Sequence, residues 1–138
     1  MSRSSAAEVK RERRKSLFIQ EFSALFQEIY AEHPSFADIY VSKVELSADT
    51  GVCYVYFATF KEPGEELFHK ALDVLKLYKP SLRKAFAGRI NTRYAPDLVF
   101  VYDKGKEKER RINELLDKVS DKNSPHYISN KELPTDGE

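Results

Sequence analysis

One cysteine in 138 residues has no partner within the chain, so no internal disulfide framework holds this fold together. Cys53 lies in an alternating apolar run and reads as a small buried hydrophobe rather than a reactive thiol. The three histidines, His33, His69 and His126, have no carboxylate or thiol at metal-ligand spacing. They read as surface residues, with neither metal nor cofactor called for. No apolar run approaches the length needed to cross a bilayer. Residues 1–15, MSRSSAAEVKRERRK, have no apolar stretch behind their charges, unlike a secretory signal. A cytoplasmic protein is expected. The five glycines include no G-x-x-G pair. The most informative absence is of negative charge: residues 74–96 contain no Asp or Glu.

That acid-free stretch holds six cations, Lys76, Lys79, Arg83, Lys84, Arg89 and Arg93, whereas the whole chain carries a formal charge of only +1. Lys and Arg neutralise phosphates and release their counterions, so a local basic stripe is a footprint for a nucleic-acid backbone. A merely soluble face usually mixes signs. Residues 1–16 hold six more cations against two acids. With 41% hydrophobic and 33% charged residues, the chain has material for one compact domain with a heavily charged surface.

Apolar residues at Phe18, Phe22, Leu25, Phe26 and Ile29 follow helical spacing and predict a first helix over residues 11–32, ended by His33, Pro34 and Ser35. A strand follows. Ile39 and Val41 are offset by an odd step from Val44 and Leu46, which predicts a bulge near Ser42 and Lys43. Ser47 to Gly51 supply turn chemistry, and residues 52–60 form the second arm of a hairpin, with Cys53, Val55 and Phe57 inward and Tyr54 and Tyr56 outward. Pro63, Gly64, Glu65 and Glu66 open a helix that buries Phe68, Ala71, Leu72 and Leu75. Pro80 lacks an amide proton and crowds the carbonyl of Lys76, so a break is expected there, with Pro80 opening a new helix that buries Leu82, Ala85 and Phe86. Gly88 and Asn91 end it, DLVFVYD reads as a third strand, and residues 106–119 form a polar helix with Ile112, Leu115, Leu116 and Val119 on its apolar side, packing at an edge. The expected organisation is a flexible basic arm at 1–10, one domain at 11–119 and a flexible tail at 120–138.

The run Lys43-Val44-Glu45-Leu46-Ser47-Ala48-Asp49, the pairs Val55-Tyr56 and Leu82-Arg83, and Arg93-Tyr94-Ala95-Pro96-Asp97-Leu98-Val99-Phe100 closed by Asp103 resemble the ribosome-binding factor A family over roughly residues 11–119. The resemblance implies an α+β, KH-like domain of the type II order, α-β-β-α-kink-α-β plus a C-terminal helix, with helices on one face of a three-stranded sheet. It implies a non-catalytic maturation factor that binds the small (30S) ribosomal subunit and assists late processing of 16S rRNA, notably at the 5′ end, often with a role in cold adaptation. KH modules generally grip single-stranded RNA through a glycine loop. The family carries alanine, any residue, glycine at its kink instead, and Tyr78, Lys79 and Pro80 occupy those positions here.

The RNA-binding residues expected are Lys76, Lys79, Pro80, Arg83, Lys84, Arg89 and Arg93, grouped about the start of the helix after Pro80, with Arg11, Arg13, Arg14 and Lys15 as accessory contacts. A monomer is the simplest state for a small factor on a large particle. Three other readings compete: a helix-break-helix DNA-binding regulator, a nuclease using Glu45, Asp49, Asp97 or Asp103, and a protein-interaction module using Tyr54 and Tyr56.

Overall fold

The computed structural model describes residues 5–91 and 95–123. They form α1 (Ala6–Ile29), two short 3-10 turns (Tyr30–Glu32 and Pro34–Asp38), β1 (Ile39–Leu46), β2 (Val52–Thr59), α2 (Gly64–Ile90), β3 (Asp97–Tyr102) and α3 (Lys104–Asn123). One compact unit ends at Asp103 and a second begins at Lys104.

Helix α1 starts earlier than its apolar periodicity predicts. Ser5 and Glu8 make a reciprocal capping box, in which the Ser5 hydroxyl accepts from the Glu8 amide and the Glu8 carboxylate from the Ser5 amide. Residues 6–10, expected to be part of a flexible arm, are thus helical. Further along, Phe18, Phe22, Leu25 and Phe26 are buried as the spacing requires.

The sheet runs β1-β2-β3, with β1 antiparallel and β3 parallel to β2. The predicted bulge is present: the register slips between Val41 and Lys43, which lets Ile39, Val44 and Leu46 all reach the core. Ser42, the extra residue, sets its hydroxyl 2.7 Å from Oδ2 of buried Asp103, so the bulge is tied across β2 to the end of β3. In the hairpin turn, Thr50 takes the left-handed conformation (φ 57°), and Asp49 accepts from the Ser47 hydroxyl and the Gly51 amide. Those bonds favour the charged carboxylate and lower its pKa, the Gly51 amide most. Cys53 is buried, which pushes its thiol up to about 12.

Helices α1 and α2 cover one face of the sheet. Phe57 meets Phe26 at 5.4 Å and Phe22 at 6.4 Å, while Phe86 meets Phe18 at 5.2 Å, all edge-to-face. The two outward tyrosines are half-buried, and the Lys43 ammonium sits 4.5 Å over the Tyr56 ring. Tyr56 is therefore paired across strands.

The break expected at Pro80 is absent: α2 is one 27-residue helix with Pro80 inside it. Phe68, Ala71, Leu75, Leu82, Phe86 and Ile90 form one continuous buried stripe through the proline. An interior proline costs about 3 kcal/mol. Burying each Leu or Phe recovers roughly 1.5–3 kcal/mol, so the residues beyond the proline outweigh it. Pro80 is exposed, where water reaches the carbonyl it leaves unpaired. Gly88 stays helical, and Asn91 (φ 52°, ψ 47°) is the left-handed C-cap.

In the second unit, α3 begins before and ends beyond the predicted helix. Ile112, Leu115, Leu116 and Val119 recur along it at helical spacing.

Candidate nucleic-acid interface

Helical periodicity places Lys76, Pro80 and Lys84 in one column of α2 and Lys79 and Arg83 in the next. The resulting flank of four cations lies beside the buried stripe. Lys76, Arg83 and Lys84 are exposed and Lys79 is half-buried. The Arg83 guanidinium donates to the Ala95 carbonyl at 3.2 Å, and Lys79 Nζ lies 3.9 Å from Asp97 Oδ1. These contacts place the flank against the segment entering β3, an edge strand. A pair as long and as wet as Lys79–Asp97 contributes little, so Lys79 keeps its capacity to meet a phosphate.

Arg89 projects to the other side of the buried stripe. It pairs with Glu28 and lies 3.6 Å from Glu21, clamping α2 to α1. Arg93 falls outside the described residues. Because α2 is continuous, no helix begins at Pro80, and the free amides expected there for a phosphate do not exist. The DNA-binding alternative loses its basis for the same reason, since it requires two helices about a turn.

The accessory cations on α1 also divide. Arg11 donates to the carbonyls of Leu46 and Ser47, at 3.2 Å for the latter, and so binds helix to hairpin. Lys15 pairs with Glu45 at 3.3 Å and with Glu12 at 3.7 Å. Arg13 and Arg14 are exposed and have no ion-pair partner among the described residues.

The carboxylates weighed for a nuclease have local partners instead. Glu45 meets Lys15, Asp49 shapes the turn, Asp97 accepts from the Leu98 amide, and Asp103 accepts from Ser42. Among the described residues, no three His, Cys, Asp or Glu side chains gather as a metal would need. No described helix is long and apolar enough to cross a membrane.

Sequence reasoning missed the partners of Arg11 and Arg89, which lie 35 and 61 residues away. No local pattern announces pairs at such separations. It also missed the contact of Arg83 with Ala95.

A family model described as Ribosome-binding factor A matches residues 10–116. The chain is 31% identical over 117 residues to Ribosome-binding factor A of Shewanella frigidimarina, covering 85% of this chain and 81% of that protein. It is 28% identical over 92 residues to Ribosome-binding factor A of Prochlorococcus marinus, covering 67% and 69%. The crystal structure of ribosome-binding factor A from Thermus thermophilus superposes with a TM-score of 0.57 at 26% identity, covering 67% of this chain and 94% of that one. A solution structure from Thermotoga maritima, 23% identical with a TM-score of 0.52, shares the fold over 70% of this chain and 86% of its own. The α+β architecture is thus the KH-like fold of those structures, and the chain belongs to the ribosome-binding factor A family.

Proposed function

We propose that this chain binds the small ribosomal subunit through the basic flank of α2 and assists late processing of 16S rRNA without catalysing a reaction. The observation that carries this reading is the placement of Lys76, Lys79, Arg83 and Lys84 on one exposed flank, in a family whose members are named for ribosome binding. The cations neutralise backbone phosphates, and Arg13, Arg14 and Arg93 extend the contact. Such groups position a protein on RNA and read no bases, so specificity comes from RNA shape and from neighbouring ribosomal proteins. Pro80 contributes no amide. Arg11, Lys15 and Arg89 serve the fold rather than the RNA.

Co-sedimentation with purified small subunits, large subunits and duplex DNA tests this reading. Preferential recovery with small subunits, together with accumulation of 16S precursor in cells lacking the protein, is expected. Equal recovery with all three, or cleavage of precursor RNA by the purified protein, would overturn it.

A further inference from the structure

The cations of α2 surround a patch of different character. Leu77 is 79% exposed, two residues and so about 200° round the helix from buried Leu75. A single exposed leucine needs no explanation, but Leu77 does not stand alone. Pro80, also exposed, follows it by three residues and shares its face. Lys76 and Lys84 lie one turn to either side of Pro80, and Lys84 is two turns beyond Leu77. Asp73, one turn before Leu77, is the last acid before the cations begin. Two apolar side chains thus sit among exposed lysines with no acid after them.

Pro80 alters the backbone of the patch as well as its surface. It has no amide hydrogen, so the Lys76 carbonyl lacks the donor that a residue four places on would supply, and the ring turns that carbonyl outward. Helical carbonyls point toward the C-terminus, which puts this acceptor on the exposed column between Lys76 and Pro80. An interior proline weakens a helix, and a leucine left in water adds nothing to the core. Neither residue is where the fold needs it.

We infer that Leu77, Pro80 and the Lys76 carbonyl form a subsite for one unpaired ribonucleotide in the middle of the basic flank. It belongs to the RNA contact proposed above and depends on that reading. Lys76 and Lys84 hold the phosphates on either side, Leu77 and Pro80 cover the face of the base, and the carbonyl accepts from the ribose 2′-hydroxyl. The chemistry of the patch selects this occupant. A duplex offers phosphates but keeps its base faces stacked, which leaves Leu77 and Pro80 uncovered. A DNA strand offers phosphate and base but no hydroxyl, which leaves the carbonyl to water. The contact tolerates any sequence, because every base has a flat face.

The full chain, labelled at its leucine methyl groups, is titrated with oligouridylate, oligodeoxyuridylate, duplex RNA and oligoglutamate. Oligouridylate should shift the Leu77 methyls and bind about fivefold more tightly than oligodeoxyuridylate, the worth of one hydrogen bond. Pro80→Ala returns an amide donor to the Lys76 carbonyl, so it should bring those two affinities together at an unchanged salt slope. Leu77→Ala replaces an exposed side chain with the best helix former and keeps the fold. It should weaken oligouridylate binding about fivefold and leave duplex RNA binding as it was. Four results would overturn the subsite while the salt-dependent RNA contact stands: equal affinity of the parent for the two strands, an RNA preference that survives Pro80→Ala, parental binding by Leu77→Ala, or oligoglutamate shifting the Leu77 methyls as oligouridylate does. Absence of salt-dependent binding of the parent to RNA and to small subunits would overturn the RNA reading and the subsite together.

Discussion

The cations of α1 and those of α2 are alike in sequence and unlike in structure. Both helices carry a buried stripe and a cluster of Lys and Arg, yet Arg11 and Lys15 are held by β1 and the hairpin, whereas Lys76 and Lys84 have no partner among the described residues. Arg89, on the same helix as the free cations, is clamped because it projects toward Glu21 and Glu28. A cation is available to a phosphate where its contacts within the chain leave it exposed, as the one carbonyl bond of Arg83 does, and not where it is clamped between two elements, as Arg89 is. Charge counting along the sequence cannot make that distinction.

The comparison breaks most visibly if the exposed cations of α2 are reversed. R83E/K84E should weaken binding to small subunits by at least about tenfold at 0.15 M salt, since two phosphate contacts become repulsions. Thermal unfolding should show a fold that is intact, because both side chains are exposed. Pro80→Ala addresses the helix that carries the flank. Restoring the missing amide should raise stability by roughly 1–3 kcal/mol in denaturant titration, with the cations still on one face. A loss of stability would mean that the helix is not continuous in solution.

That continuity was legible in the sequence and was outweighed by the proline. Leu75, Leu82 and Phe86 keep helical spacing through Pro80, and three large side chains outweigh one missing hydrogen bond. The bulge was readable from the odd step between Val41 and Val44, and the core face of β2 from strict alternation. The start of α1 carried its own signal in Ser5 and Glu8, which apolar periodicity overlooks. The candidate site was legible as a charge pattern, but not which charges are spent. Arg11 and Arg89 find partners through the tertiary fold.

Smaller effects sharpen the same contrast on α1. Arg11→Ala removes a charged donor from two carbonyls and should cost about 1–2 kcal/mol of stability while leaving subunit binding nearly unchanged. A large loss of binding with an intact fold would transfer Arg11 to the RNA face. The smallest effect concerns the helix start. The Ser5 amide, and then the Ser5 hydroxyl, hold the Glu8 carboxyl below its usual value of 4.5. A depressed carboxylate contributes stability that is complete above that value and is lost as pH falls through the lower folded value. Amide exchange in residues 6–10 should therefore rise on acidification below about pH 4.5, and Glu8→Ala should remove the pH dependence.

The central claim is that Arg83 and Lys84 of α2, and not Arg11 and Lys15 of α1, meet the RNA, and the salt dependence of small-subunit binding tests it most directly. Each lost phosphate contact lowers the slope of log affinity against log salt by about one. R83E/K84E should flatten the slope by about two, while an Arg11→Ala, Lys15→Ala variant keeps the parental slope. A parental slope in the α2 variant and a flattened one in the α1 variant would contradict the account.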